Sequence, residues 1–183
     1  MLKKSLLLSS LLLFGTQAYS DQYFIGAKAG STWTKDKFSC SYGSSGSDNT
    51  SAFVMDFKGG KIIDDTHRLS LGYSPIFHSG AKIHRVLANY DYLIPMEDRS
   101  KLYAGAHFGS VSLRSDDTDF NTTDIAYGVQ AGYIKELQEN IDLEFGAKYT
   151  KYNISKSYND SIGQCNLKLE NDFTLLVGLN YRF

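Results

Sequence analysis

The chain has 183 residues with 19 basic against 20 acidic side chains, a length that suits one domain and a charge balance that gives no footing for nucleic-acid binding. Aromatic residues make up 14%, Tyr above all with 13, and Gly is frequent at 16 while Pro is nearly absent at 2. Such a composition favours long strands over helices. No stretch after residue 20 is apolar and long enough for a transmembrane helix, which excludes a helical membrane protein. A membrane-spanning role would need a closed barrel, because only helices and barrels satisfy every backbone N–H and C=O without water.

The first twenty residues predict a secretory signal peptide. Lys3 and Lys4 form a short positive region, residues 5–14 are almost wholly apolar, and Ala18 and Ser20 are small residues at the −3 and −1 positions. Cleavage is expected after Ser20, with Ala18 as the alternative. The predicted domains are therefore 1–20, the leader, and 21–183, a mature chain with 17 basic and 20 acidic residues.

Along the mature chain, eight segments alternate with a period of two, each followed by a polar connection. In the first, Tyr23, Ile25, Ala27, Ala29 and Trp33 share one face, and Gly26, Lys28, Gly30 and Thr32 the other. The second sets Phe53, Met55 and Phe57 against Asp56 and Lys58, and the third Leu69, Leu71 and Tyr73 against Arg68, Ser70 and Gly72. In the fourth, Val86, Ala88, Tyr90 and Tyr92 oppose Arg85, Asn89 and Asp91, with Leu87 interrupting the polar face. Leu102, Ala104, Ala106 and Phe108 then alternate with Tyr103, Gly105, His107 and Gly109. Tyr127, Val129, Ala131 and Tyr133 do so with Gly128, Gln130 and Gly132. The seventh segment opposes Ile141, Leu143, Phe145, Ala147 and Tyr149 to Asp142, Glu144, Gly146 and Lys148. The last opposes Phe173, Leu175, Val177, Leu179, Tyr181 and Phe183 to Thr174, Gly178, Asn180 and Arg182.

Two eight-stranded barrels fit this alternation. A lipocalin-type barrel turns its apolar face inward around a ligand, and a membrane barrel turns it outward. The apolar face is greasy in every segment with Tyr and Phe near the ends, as interfacial girdles require, so the expected fold is an all-β, eight-stranded antiparallel transmembrane β-barrel. Its lumen would hold a charged network of Lys28, Asp56, Lys58, Arg85, Asp91, Glu144, Lys148 and Arg182. Tight connections are expected near 63–66, 95–100 and 135–140, as periplasmic turns. Long ones are expected at 35–50, 114–124 and 152–166, with a shorter one at 74–81, as extracellular loops.

The final segment ends in Tyr181-Arg182-Phe183 and resembles the signal by which outer-membrane assembly machinery recognises its clients. Residues 102–109, LYAGAHFG, and 125–133, IAYGVQAGY, are similar to the small bacterial outer-membrane β-barrel family that includes the membrane domain of outer membrane protein A and the opacity-type surface antigens. The resemblance covers the whole mature chain. It implies a multi-pass location in the bacterial outer membrane, with a porin-family type of barrel surrounded by lipid and lipopolysaccharide. It also implies a monomer without the peptidoglycan-binding domain of some relatives. For activity it implies little, because such barrels serve adhesion, serum resistance, membrane integrity and solute leakage.

An exported chain with two cysteines enters an oxidising compartment. Barrel closure pairs the last strand with the first, making the connections that hold Cys40 and Cys165 neighbours, so a Cys40–Cys165 disulfide is expected. Free thiols or an intermolecular bridge are the alternatives. Enzymatic readings fare poorly. A lipid A deacylase-like pair needs His and Ser two apart on one strand face, and none of His67, His78, His84 and His107 has Ser at that spacing. His107 and Ser110 fall on opposite faces, leaving His107 as a lumen residue hydrogen-bonded to a neighbour. Omptin-type proteases need a longer chain. Asp117, Asp119 and Asn121 have the opening spacing of a calcium loop, but Thr122 replaces its Gly and Gly128 its Glu, so no metal or other cofactor is expected. Asn49, Asn121, Asn153 and Asn159 begin N-x-S/T triplets, taken as polar loop composition.

The sequence thus predicts a non-enzymatic surface protein whose barrel anchors loops for adhesion or surface interaction. Phe38, Tyr42, Phe120, Tyr152 and Tyr158 would contact a host or surface ligand. A structural role in envelope integrity or a narrow, low-conductance porin is the alternative, and a lipid A-modifying enzyme a distant one.

Overall fold

A computed structural model describes residues 21–40, 45–78, 81–115, 121–160 and 163–183; the predicted leader lies outside them. The described residues form eight strands: β1 (Gln22–Cys40), β2 (Ser45–Ile63), β3 (His67–His78), β4 (Ala81–Met96), β5 (Ser100–Ser115), β6 (Asn121–Gln138), β7 (Ile141–Asp160) and β8 (Gly163–Arg182). Each strand pairs antiparallel with the next and β8 returns to β1, closing the barrel. At the closing seam Phe24 faces Arg182 at one end and Cys40 faces Cys165 at the other. Tyr23 and Phe183 exchange backbone hydrogen bonds of 3.1 and 2.9 Å there, so the strand ladder has no free edge.

One end carries three short turns, 64–66, 97–99 and 139–140. Asp64, Asp65, Asp98 and Arg99 adopt positive φ of 50°, 56°, 62° and 53°, a backbone region that Asp enters more readily than β-branched residues do. The other end departs from expectation. Segments expected as long loops are largely strand: β1 runs on to Cys40, β2 begins at Ser45, β7 runs to Asp160 and β8 begins at Gly163. Pairing continues along these polar segments because a hairpin extension satisfies backbone groups by ladder bonds whatever its side chains.

The period-two pattern is realised with its apolar side outward. Ile25, Phe57, Leu71, Phe108, Val129, Phe145 and Leu179 are exposed, while Lys28, Arg85, Asp91 and Glu144 are buried. A surface of this kind matches hydrocarbon, so the barrel is of the transmembrane type. Aromatic side chains bound the band. Tyr23, Tyr181 and Phe183 stack near the turn end, and Trp33 stacks on Phe173 near the other. The interval from Tyr23 to Trp33 is about ten residues, or roughly 33 Å of strand, which a tilt of about 40° reduces to about 25 Å of membrane depth.

Inward glycines let so narrow a wall curve. A Cβ at Gly128 would overlap the Tyr149 carbonyl oxygen and crowd the His107 ring, and one at Gly30 would overlap the Leu175 carbonyl oxygen. Backbone of an adjoining strand cannot yield as a flexible side chain does. Gly128→Ala is therefore expected to cost about 1–3 kcal/mol, seen as a lower urea midpoint in micelles with the barrel's strand content unchanged.

Leu87 does not interrupt a uniformly polar lumen, as the alternation suggested. It joins an interior apolar cluster with Val54, Ile76, Ile83, Val111, Ala126 and Leu176 toward the strand-extended end. A second cluster, Phe24, Ile62, Leu93, Tyr103 and Ile134, lies toward the turns. These side chains fill space that long charged residues alone would leave poorly packed.

Candidate functional site

Between the two apolar clusters, and reaching into the one at the strand-extended end, lies a buried ionic network whose charged and amide side chains come from every strand but β5. Its centre is Glu144 on β7, fully buried. The Glu144 carboxylate accepts hydrogen bonds from Lys28 Nζ at 3.1 Å, Lys58 Nζ at 2.8 and 2.9 Å, Arg68 Nη1 at 3.0 Å and Asn180 Nδ2 at 2.8 Å. Arg68 also donates from Nε to Asp91 Oδ2 at 2.9 Å, and Gln130 Nε2 donates to Asp91 Oδ1 at 2.5 Å. Its guanidinium lies over the Tyr103 ring, 4.6 Å from the centroid, and 5.7 Å from that of Phe24, so cation–π contacts tie the network to the turn-end apolar cluster.

Asp56 is a second node, accepting from Lys148 Nζ at 2.6 Å and Ser74 Oγ at 2.8 Å, with Lys28 Nζ 3.8 Å away. Asp172 is the third. It accepts from Arg85 Nη1 at 2.7 Å, from Thr174 Oγ1 at 3.1 Å and from the Tyr152 hydroxyl. Charges removed from water need such partners, since each ion otherwise bears a desolvation penalty of several kcal/mol. Among the described residues, the network's five buried cations and its four carboxylates, Asp56, Asp91, Glu144 and Asp172, thus occupy the space through which a solute would have to pass.

Of the residues expected in the lumen, Lys28, Asp56, Lys58, Arg85, Asp91, Glu144 and Lys148 are all buried inside. Arg182 instead lines the turn-end mouth. It pairs with Asp142 at 3.0 Å and Glu136 at 3.3 Å, beside a cavity of about 290 Å³ that Gln22, Asp65 and Lys101 also line. Arg68 and Asp172 were missing from the expected network. Arg68 was already read on the polar face of the third segment beside Ser70 and Gly72, and only its place in the network was missed, whereas Asp172 precedes Thr174 and continuing the alternation past the start of the last segment would have found it.

Other candidates fall differently. His107 is buried, yet neither ring nitrogen has a protein hydrogen-bond partner, contrary to expectation. Its cross-strand neighbours explain this: Gly128 has no side chain, and Asn89 donates to the Leu87 and Ser70 carbonyls. Ser110 points outward, so it makes no pair with His107. His67 and His84 bond to Tyr90 and Tyr73 on the outer face, at 2.9 and 2.7 Å. Tyr152, expected at a loop surface, is buried against Arg85 and Asp172 because it continues the inward face of β7. Phe38 and Tyr158 lie in strands; Tyr42, Phe120, Asp117 and Asp119 lie outside the described residues.

A chain with paired charges inside and an apolar band outside can now be set beside known proteins. The crystal structure of Neisserial surface protein A matches with a TM-score of 0.64 at 21% identity, over 88% of this chain and 97% of that one. The fold is that of a small outer-membrane barrel. OprG from Pseudomonas aeruginosa matches with a TM-score of 0.64 at 11% identity, over 88% of this chain and 95% of its own. Outer membrane protein H from P. aeruginosa, solved in DHPC micelles, matches with a TM-score of 0.51 at 26% identity, over 86% and 99%. No family model and no curated protein matches the chain.

Proposed function

We propose that this is an exported, non-enzymatic outer-membrane surface protein whose sealed barrel anchors an outward-projecting wall used for adhesion or other surface contact. The observation that carries the reading is the lopsided extension of the barrel. On one side β3 ends at His78, one residue past the girdle residue Phe77. On the other, β7, β8, β1 and β2 continue well beyond Trp33 and Phe173 in unbroken sequence around the wall. A four-stranded polar platform rising clear of the membrane band costs ordering entropy that anchoring alone does not require. The sealed lumen favours this reading over a porin. An envelope-integrity role is the competing reading, and a lipid A-modifying enzyme gains no support from the buried His107, whose ring makes no protein hydrogen bond and whose near neighbour Ser110 points outward.

The test displays the intact barrel on a non-adherent bacterium beside versions with short turns replacing residues 36–49 or 153–167. Intact protein is expected to confer binding to cells or matrix, and either replacement to abolish it while heat-modifiable gel mobility persists. Equal adherence by intact and shortened barrels would overturn the surface-contact reading and move envelope integrity ahead.

The same reading includes cleavage after Ser20, use of Tyr181 and Phe183 as the assembly signal, and a Cys40–Cys165 bridge. Support for the bridge is the register, which sets the two Cα atoms directly opposite across the β1–β8 seam, within the spacing that a disulfide needs. Intact-mass measurement reads two of these together. A chain beginning at Asp21 is expected, gaining about 2 Da on reduction; a start elsewhere or an unchanged mass would reject the corresponding assignment.

A further inference from the structure

The wall that carries the platform has a basic ledge above its aromatic girdle. In the row of directly paired outward residues Tyr149–Phe173–Trp33, the rings belong to β7, β8 and β1. The next outward row, one step farther from the membrane band, is Lys151–Asn171–Lys35. Both lysines are exposed, and among the described residues neither has a carboxylate partner. The nearby carboxylate of Glu170 is engaged by Lys37 Nζ at 2.9 Å, and Asp172 points into the lumen and is satisfied there. Two strand spacings put the Lys35 and Lys151 backbones about 10 Å apart, a span that two long flexible side chains can close on one anion.

We infer that Lys35 and Lys151, with Asn171 between them, bind the phosphate group of a phosphorylated lipid in the outward-facing leaflet, whose acyl chains lie along the apolar wall below. Each element fits that ligand. The rings mark the headgroup boundary, the lysines stand at phosphate depth, and beneath them Ala147, Leu175 and Val177 line a shallow apolar groove that Ala29 and Ala131 also border. The site rests on the outer-membrane orientation proposed above. Heat-modifiable mobility of the same samples reports the barrel itself, so loss of the barrel and loss of lipid binding are distinguishable.

Trp33 is the chain's single tryptophan and stacks on Phe173 with ring centroids 6.1 Å apart, directly below the ledge. Its emission provides the test. Folded barrel in maltoside micelles, which carry no phosphate, is titrated with bisphosphorylated lipid A, with the same lipid dephosphorylated, and with inorganic phosphate. A saturable change in Trp33 emission is expected with the phosphorylated lipid only. The double variant Lys35→Gln, Lys151→Gln is expected to bind it about tenfold or more weakly, and Lys101→Gln, at the turn end, as tightly as the parent. Native mass spectrometry of the same mixtures should show retained lipid in the parent and its loss in the double variant. Equal response to the dephosphorylated lipid, an equal response to inorganic phosphate, undiminished binding by the double variant, or a silent Trp33 with no retained lipid would each overturn the site.

Discussion

Glu144→Ala is expected to lower the barrel's unfolding free energy by about 3–5 kcal/mol, the effect of breaking a buried ion pair from one side. One carboxylate on β7 serves Lys28, Lys58 and Arg68 together, drawn from β1, β2 and β3. Without it, those three cations are left with Asp56, already held by Lys148, and Asp91. Water reaches them poorly between the apolar clusters, and the charges are too close to share what remains. Glu144→Gln keeps the volume and an acceptor oxygen but removes the charge. It should fall between parent and alanine, separating charge from packing. Urea titration in micelles, read by heat-modifiable mobility and circular dichroism, measures the series. Pairing Glu144→Gln with Lys58→Met is expected to recover part of the loss, because one orphaned cation is withdrawn with its partner. An alanine variant within about 1 kcal/mol of the parent would mean that solvent, not Glu144, neutralises the lumen.

The barrel was legible in the sequence because its signal is redundant. Eight segments repeat one alternation, and a register slip in any one would turn its whole apolar set inward. The turns were legible for a local reason, since short polar runs such as residues 97–99 interrupt the alternation where the chain must reverse. The extended end was not, because polarity there was equated with loop. Strand pairing beyond the membrane needs no apolar face, only a partner backbone, and nothing in residues 36–49 or 153–167 announces one. Leu87 was legible as an anomaly but not as packing: recognising the cluster requires Ile76, Ile83 and Val111, which come from three different strands. Tyr152 failed for the same reason as Asp172. Both lie just outside the segment as read, and continuing the period of two from Lys148 through Thr150 to Tyr152, and back from Thr174 to Asp172, places each inside.

In planar bilayers the parent barrel is expected to show no stable ion-conducting steps, and Glu144→Ala alone is expected to show none either. An eight-stranded barrel leaves only the room its side chains occupy, and here the obstacles stand in series. From the turns, an ion enters the mouth beside Arg182 and Asp142, then meets Phe24, Ile62, Leu93, Tyr103 and Ile134. Next come the nodes at Glu144 and Asp56, and then the side chains around Leu87 and Val111 with the Asp172–Arg85 pair set among them. Polar nodes could in principle exchange partners with a passing ion. Apolar constrictions cannot, and block by excluding water. Conduction therefore requires change at more than one level: Glu144→Ala combined with Tyr103→Ala, Leu87→Ala and Val111→Ala should yield small resolved steps. That combination stacks cavity costs of about 2–5 kcal/mol each for the larger residues on the loss of the charge. It must therefore be recorded only on material that keeps its heat-modifiable mobility. Steps in Glu144→Ala alone would show that the apolar layers do not seal, and large, stable, ion-selective openings in the parent would replace the anchor reading with a pore.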